Sequence, residues 1–385
     1  MADPTAFLPR RRGMLAAGCA ALLAGCAARL PGTAAAPAPR LLGTATLRHG
    51  LRFAGTTVGG LSGIDYDPAT GLYALVSDDR SEHGPARIYT ARIGIDAAGG
   101  AVSVELQSAI PLLRGDGQPG ASARAAGAGD EVLDPEAVRW RATPRGPVLL
   151  WTTEGDFARG FGPALRESAP DGTLLRTFGL PAMFAPDRAG RRGPRDNKGF
   201  EGLALTPDGR HAWLAMEGAL VQDGPLPAVG VPGGPCRLTC VDLQSGRALR
   251  QIAYMPDAVP HAPVLPGGMA DNGISEVLML DAHAMLVLER SYALGRGVSL
   301  RLYRIDTREA GDVLGVDALA PGNHRPAAKT LVADFATLGL PQIDNTEGLC
   351  WGPPLPDGRR TLLAVSDDNF NLGQVTQIAA FALAD

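Results

Sequence analysis

Apolar and polar residues alternate along most of this chain in short runs, each closed by a turn rich in Gly, Pro and Asp. A period of two marks half-buried strands, because successive side chains point to opposite faces. Five of these runs align: Ser62-Gly63-Ile64-Asp65-Tyr66, Glu136-Ala137-Val138-Arg139-Trp140, Glu201-Gly202-Leu203-Ala204-Leu205, Glu276-Val277-Leu278-Met279-Leu280 and Glu347-Gly348-Leu349-Cys350-Trp351. Their first residues are separated by 74, 65, 75 and 71 positions. Each is followed by a turn, such as Asp67-Pro68-Ala69-Thr70-Gly71 or Thr206-Pro207-Asp208-Gly209. A second run comes next: Leu72–Ser77, Val148–Thr153, Ala212–Met216, Met285–Leu288 and Thr361–Ser366. Two more usually complete the unit, as in Arg237–Leu243 with Leu249–Tyr254, and Ser299–Ile305 with Thr330–Phe335.

Units of four short strands in tandem predict an all-β fold, a β-propeller. The last unit supplies three strands, ending with Gln374–Leu383, and the segment near Leu42–Phe53 is expected to add the fourth. A ring closed by strands from both ends leaves no open edge. The count is five blades, with a degenerate sixth as the alternative. Fifty glycines and thirty-two prolines in 385 residues exclude a helix-rich fold. The formal net charge is −4, and Lys198 and Lys329 are the only lysines among 36 basic residues. No basic face for nucleic acid is expected.

The first 26 residues read differently. Arg10-Arg11-Arg12 precedes an apolar stretch from Gly13 to Ala24 and then Leu23-Ala24-Gly25-Cys26. A charged start, a short apolar segment and small residues before a cleavage point predict an export signal, too short to span a membrane. Arg11-Arg12-Gly13-Met14-Leu15 is similar to a twin-arginine signal. Leu-Ala-Gly-Cys resembles a bacterial lipobox, which makes Cys26 the lipidated residue, residues 27–40 a tether and residues 41–385 a single propeller domain in the periplasm or cell envelope. The membrane is then met through the lipid anchor alone. Cys236 and Cys240 lie about 13 Å apart on an extended strand, beyond disulfide reach.

The carboxylates converge on one place. In a propeller the innermost strand of each blade lines the channel and the next returns antiparallel, so the start of the first and the end of the second are neighbours at one mouth. Glu136, Glu201, Glu276 and Glu347 begin first strands, and Asp78-Asp79, Glu154, Glu217, Glu289 and Asp367-Asp368 end second strands. Lys198, Arg80 and Arg290 fall among them. So many like charges call for cations, and an all-oxygen donor set without histidine points to a hard ion such as Ca²⁺. The competing reading gives these acids no chemistry and makes them caps on backbone N–H groups.

The motifs around these acids resemble a known family. Leu61-Ser62-Gly63-Ile64-Asp65 with Val76-Ser77-Asp78-Asp79, Asn197-Lys198-Gly199-Phe200-Glu201-Gly202-Leu203, Ala215-Met216-Glu217-Gly218, Asn272-Gly273-Ile274-Ser275-Glu276, Leu288-Glu289-Arg290-Ser291, and Asn345-Thr346-Glu347-Gly348 with Ser366-Asp367-Asp368-Asn369-Phe370 are similar to the phytase-like family described as having esterase-like activity. The resemblance runs from about Leu42 to Leu383 and implies an exported bacterial propeller that hydrolyses a small phosphoester or carboxyl ester. The calcium-dependent propeller phytases have six blades, where this chain counts five.

Two look-alikes are set aside. Arg48-His49-Gly50-Leu51-Arg52 matches the start of the histidine acid phosphatase motif, but Ala54 stands where proline is expected and those enzymes are α/β. Ser62 lacks the Gly-x-Ser-x-Gly spacing and its strand–turn–helix context. The charge pattern instead predicts Ca²⁺ held by Asp78, Glu136, Glu201, Glu276, Glu347 and Asp367. Lys198, Arg80 and Arg290 would hold phosphoryl oxygens, and Glu217 or Glu289 would serve as general base. A non-catalytic envelope propeller with a structural metal, and a lactone or carboxyl-ester hydrolase, are the alternatives.

Overall fold

The computed structural model describes residues 38–187 and 189–383. The leader, including Cys26, lies outside the described residues. Asp and Gly make the turns: Asp67 accepts from the Ala69 N–H at 3.0 Å and the Thr70 hydroxyl at 2.7 Å, and Gly71 takes a φ of 71° that closes the hairpin. No helix among the described residues is long and apolar enough to cross a membrane.

The strands are β1 (Arg40–Leu47), the small hairpin β2 (Arg52–Phe53) and β3 (Thr56–Thr57), then β4 (Leu61–Asp67), β5 (Leu72–Ser77), β6 (Arg87–Asp96) and β7 (Ala101–Pro111). The second unit is β8 (Pro135–Thr143), β9 (Gly146–Thr153), β10 (Ala164–Ser168) and β11 (Leu174–Thr177). The third is β12 (Phe200–Leu205), β13 (His211–Met216), β14 (Cys236–Asp242) and β15 (Ala248–Tyr254). The fourth is β16 (Ala270–Met279), β17 (Ala284–Ala293), β18 (Gly297–Asp306) and β19 (Lys329–Asp334), and the last holds β20 (Asn345–Trp351), β21 (Arg360–Asp367) and β22 (Thr376–Leu383).

Three of these units are separate four-stranded antiparallel sheets. The first and last join in an eight-stranded sheet of order β20-β21-β22-β1-β7-β6-β5-β4, whose halves meet through a single parallel pair, Thr44 with Ala101. The first strands touch in the cyclic order β4, β8, β12, β16, β20 and back to β4. This is the architecture of a β-propeller. The closing strand is β1, which pairs antiparallel with β22 from Arg40–Ala382 to Leu47–Thr376. It overlaps the expected Leu42–Phe53 but stops at Leu47, because Arg52 and Phe53 belong to the β2–β3 hairpin.

The core fills the spaces between adjacent sheets. Trp213, Cys236 and Tyr254 of the third pack against Val277, Met285 and Tyr303 of the fourth. Trp151 is wholly buried and donates to Ser168 Oγ at 3.0 Å. Cys236, Cys240 and Cys350 are free and buried.

Each first strand carries a β-bulge near its start, and the bulge determines which side chains meet at the mouth. The register shifts between Leu61 and Gly63, Pro135 and Val138, Phe200 and Gly202, Ile274 and Glu276, and Thr346 and Gly348. The equivalent bulge residues are therefore Ser62, Glu136, Glu201, Ser275 and Glu347. This corrects the fourth repeat, where the aligned residue is Ser275 and not Glu276. Two serines bear the new register out: Ser62 Oγ donates to Pro135 O at 3.3 Å and Ser275 Oγ to Thr346 O at 3.2 Å, each reaching the residue before the next bulge. The same shift applies across the hairpin. The residues following the last bulge-side pair are Asp78, Glu154, Glu217, Arg290 and Asp367, so Arg290 holds the place assigned to Glu289. A one-residue slip turns a side chain to the other face of a sheet.

Candidate active site

The mouth thus gathers three glutamates and two serines from the first strands, and four carboxylates and one arginine from the second. Asp134, two residues before Glu136, joins them. Among the described residues, three groups of carboxylates have ligand oxygens within 4.8 Å of one another: Asp78, Glu347 and Asp367; Asp134, Glu136 and Glu154; and Glu154, Glu201 and Glu217. Glu154 belongs to two groups, which makes the second and third continuous.

These acids are short of protein partners. Among the described residues no hydrogen-bond donor reaches the carboxylates of Asp78, Glu136 or Glu201. Glu217 Oε2 and Glu347 Oε2 are buried without any hydrogen-bond partner among the described residues. Burial, reinforced by neighbouring carboxylates, pushes Glu154 up to about 8 and Asp134 up to about 7. Asp78, Glu136, Glu201 and Asp367 are held well above the ordinary carboxylate range for the same reasons. Leaving such oxygens desolvated and unpaired is costly. An all-oxygen set of this kind fits a hard divalent cation.

The protein's own cations offset only part of the charge. Arg290 lies 2.9 Å from Glu347 Oε1 and 3.1 Å from Glu217 Oε1, and it also donates to Asn345 Oδ1. Lys198 Nζ lies 2.8 Å from Glu217 Oε1 and contacts Asp271. Burial pulls the Lys198 ammonium down, but Glu217 and Asp271 hold it above its ordinary value. Arg80 sits at the open side, its Nε 3.5 Å from Asp134 and its Nη2 3.9 Å from Asp156. The backbone around the mouth is strained: Ser81, Asn197, Asn369 and Phe370 all have φ between 45° and 56°. Non-glycine residues take that conformation reluctantly, and such strain concentrates at functional sites.

Two residues expected in the cluster lie elsewhere. Glu276 points into the channel, where Oε2 accepts from Arg139 Nη2 at 2.7 Å and Oε1 from the Leu203 and Val277 N–H groups at 2.9 and 2.8 Å. Arg139 also donates to Ile64 O and Val138 O, so this buried pair plugs the channel. Glu289 faces away from the mouth and is fully engaged by Tyr254 Oη at 2.6 Å, Asn272 Nδ2 at 2.9 Å and Lys329 Nζ at 2.5 Å. Asp78, Glu136, Glu201, Glu347, Asp367, Glu217, Lys198, Arg80 and Arg290 do come together. Asp134 also joins the cup from just before β8, and no repeat marks it, because the equivalent positions in the other units are Gly60, Gly199, Gly273 and Asn345.

Fold and mouth together define a propeller with a sealed channel and an acidic cup suited to cations. The chain belongs to the phytase-like family, whose model is described as esterase-like activity of phytase and matches residues 56–370. No curated protein matches. Among solved structures the chain is similar to the Dos1 propeller, at 7% identity and a TM-score of 0.35, covering 83% of this chain and 66% of that one. It is also similar to the Myceliophthora thermophila Cps50 (Swd1) β-propeller domain, at 11% identity and a TM-score of 0.35, covering 88% and 99%. A third likeness is to the periplasmic gluconolactonase of Pseudomonas aeruginosa, at 15% identity and a TM-score of 0.34, covering 86% and 90%.

Proposed function

We propose that this protein is an exported hydrolase that cleaves a phosphoester at the acidic mouth, with Ca²⁺ held by the clustered carboxylates other than Glu217. The observation that carries this reading is the pair of buried, unpartnered oxygens Glu217 Oε2 and Glu347 Oε2. Bound Ca²⁺ would supply Lewis-acid polarisation of the oxygen on which charge develops. The chain's own residues divide the remaining tasks. Glu217 Oε1 is held by Lys198 and Arg290, which leaves Oε2 to take a proton from water. Arg80 lines an open cavity beside Asp78, with its Nε buried and lacking a hydrogen-bond partner. Its planar fork suits phosphoryl oxygens and favours an anionic phosphoester over a neutral lactone.

The test is a Ca²⁺ titration that follows thermal stability and turnover of a chromogenic phosphomonoester together. Stabilisation and turnover are expected, both lost in Glu201→Ala. Turnover of a lactone or carboxyl ester alone would change the substrate class. Stabilisation without any turnover would make this a non-catalytic propeller with a structural ion, and no response would overturn the reading. Export rests on the leader: labelled fatty acid is expected on the protein and absent from Cys26→Ser.

A further inference from the structure

Two aspartate pairs lie at the ends of the second strands of neighbouring units, Asp78-Asp79 and Asp367-Asp368, and the members of each face opposite ways. Asp78 and Asp367 turn into the cup. Asp79 and Asp368 turn out of it, both buried, and each meets a histidine. His83 Nδ1 lies 3.6 Å from Asp79 Oδ1, and His49 Nδ1 lies 3.4 Å from Asp368 Oδ2. Both separations are too long for hydrogen bonds.

The setting of His83 is built from several sides. Arg87 Nη1 donates to Asp79 Oδ2 at 2.7 Å, and the Glu82 N–H donates to Oδ1 at 2.7 Å, so the aspartate is immobilised. The imidazole stacks on Phe370, with ring centroids 4.1 Å apart and planes inclined by 19°. Phe370 itself has a φ of 50°, a strained conformation for a residue with a side chain. Asp78, Arg80, His83 and Phe370 line one cavity of about 280 Å³. A cup carboxylate, a guanidinium and an aspartate-backed imidazole therefore share one space. His49 has a similar aspartate but does not line that cavity.

We propose that His83 is the general acid that protonates the leaving group, and that the substrate is an alkyl phosphoester whose alcohol occupies this cavity. The inference rests on the hydrolase reading above. An alkoxide leaves poorly unless it is protonated as the bond breaks. Water forms a new bond to phosphorus and loses a proton to the Glu217 carboxylate. The bond from phosphorus to the leaving oxygen breaks, its electron pair stays on that oxygen, and the imidazolium Nε2–H supplies the proton. The products are the alcohol and the phosphate, and His83, with its side chain 37% exposed, regains its proton from solvent. Asp79 faces Nδ1, so Nε2 is the end free to act.

The experiment uses the full protein with Ca²⁺ and a series of phosphomonoesters, from p-nitrophenyl phosphate to unactivated alkyl phosphates. Wild type should depend weakly on the acidity of the leaving alcohol. His83→Ala and His83→Gln should lose about 10²-fold or more on alkyl phosphates while staying near wild type on p-nitrophenyl phosphate, with an unchanged Ca²⁺-induced rise in Tm. His49→Ala should keep the wild-type dependence. An equal loss on every substrate, or no loss, would overturn the acid role and leave the hydrolase reading intact. Failure of wild type to turn over any phosphomonoester would overturn both.

Discussion

Arg290 occupies in the fourth unit the strand position that Glu217 occupies in the third, and its Nη2 lies 3.1 Å from Glu217 Oε1. A cation thus interrupts a ring of acids from within and also reaches Glu347 on the far side. Arg290→Met would leave both carboxylates buried without it. The metal-free variant should lose about 3–5 kcal/mol, the cost of breaking a buried pair from one side. Added Ca²⁺ should restore more stability than it gives wild type. Thermal unfolding with and without Ca²⁺ checks this.

The cup also makes stability depend on pH with a definite sign. Glu154 and Asp134 are raised to about 8 and about 7 from ordinary values of 4.5 and 3.8. A group whose pKa is raised by folding binds its proton more tightly when folded, so its contribution is complete at low pH and is lost as pH rises through the folded value. Metal-free protein should therefore lose stability from about pH 4 to about pH 8 through these groups. The proposed Ca²⁺ binding requires the deprotonated cup, so the gap in Tm between protein with and without Ca²⁺ should widen over the same interval. Calorimetry in buffers of different ionisation enthalpy should detect the released protons.

The channel plug gives a separate stability test. Burial raises Glu276 to about 7, although Arg139 opposes the shift. Arg139→Ala or Glu276→Ala should each cost about 3–5 kcal/mol in denaturant unfolding. Replacing both together, as Arg139→Met with Glu276→Leu, should recover most of that loss. Ca²⁺ affinity should hardly change, because neither residue belongs to the carboxylate groups.

Gly60 links backbone to site. Its φ is +61°, and a Cβ there would come within 2.2 Å of Asp78 Oδ1 and 2.8 Å of the Phe370 ring. Gly60→Ala should cost about 1–2 kcal/mol from backbone strain alone. Displacing Asp78 should also weaken Ca²⁺ binding by about tenfold or more, as loss of a ligand's support does elsewhere. Titration of folded variant and wild type under one condition separates the two effects.

Strands and turns were legible because the period of two is written into short runs such as Leu72–Ser77, which is a strand with those bounds. The convergence of acids was legible too, since hairpin geometry alone brings the start of one strand beside the end of the next. The fourth unit misled because a bulge adds one residue without a compositional mark. Glu276 and Glu289 lie next to the correct positions, and period-two parity sends both to the wrong faces. His83 was hidden for another reason: Asp79 is only four residues away, but the Phe370 ring on which it stacks lies far along the chain. His49 was visible only within a phosphatase look-alike, and the Asp368 that meets it is equally distant in sequence.

The pairing of β1 with β22 sets a condition on how the molecule comes into being. Arg40 must find Ala382, so the ring cannot shut until synthesis has passed Ala382. Contacts this distant in sequence fold slowly. Until then the mouth carboxylates from separate units have no reason to approach one another and good reason to stay apart. The cup should be the last part of the molecule to assemble, and divalent ions present at that moment would speed its completion.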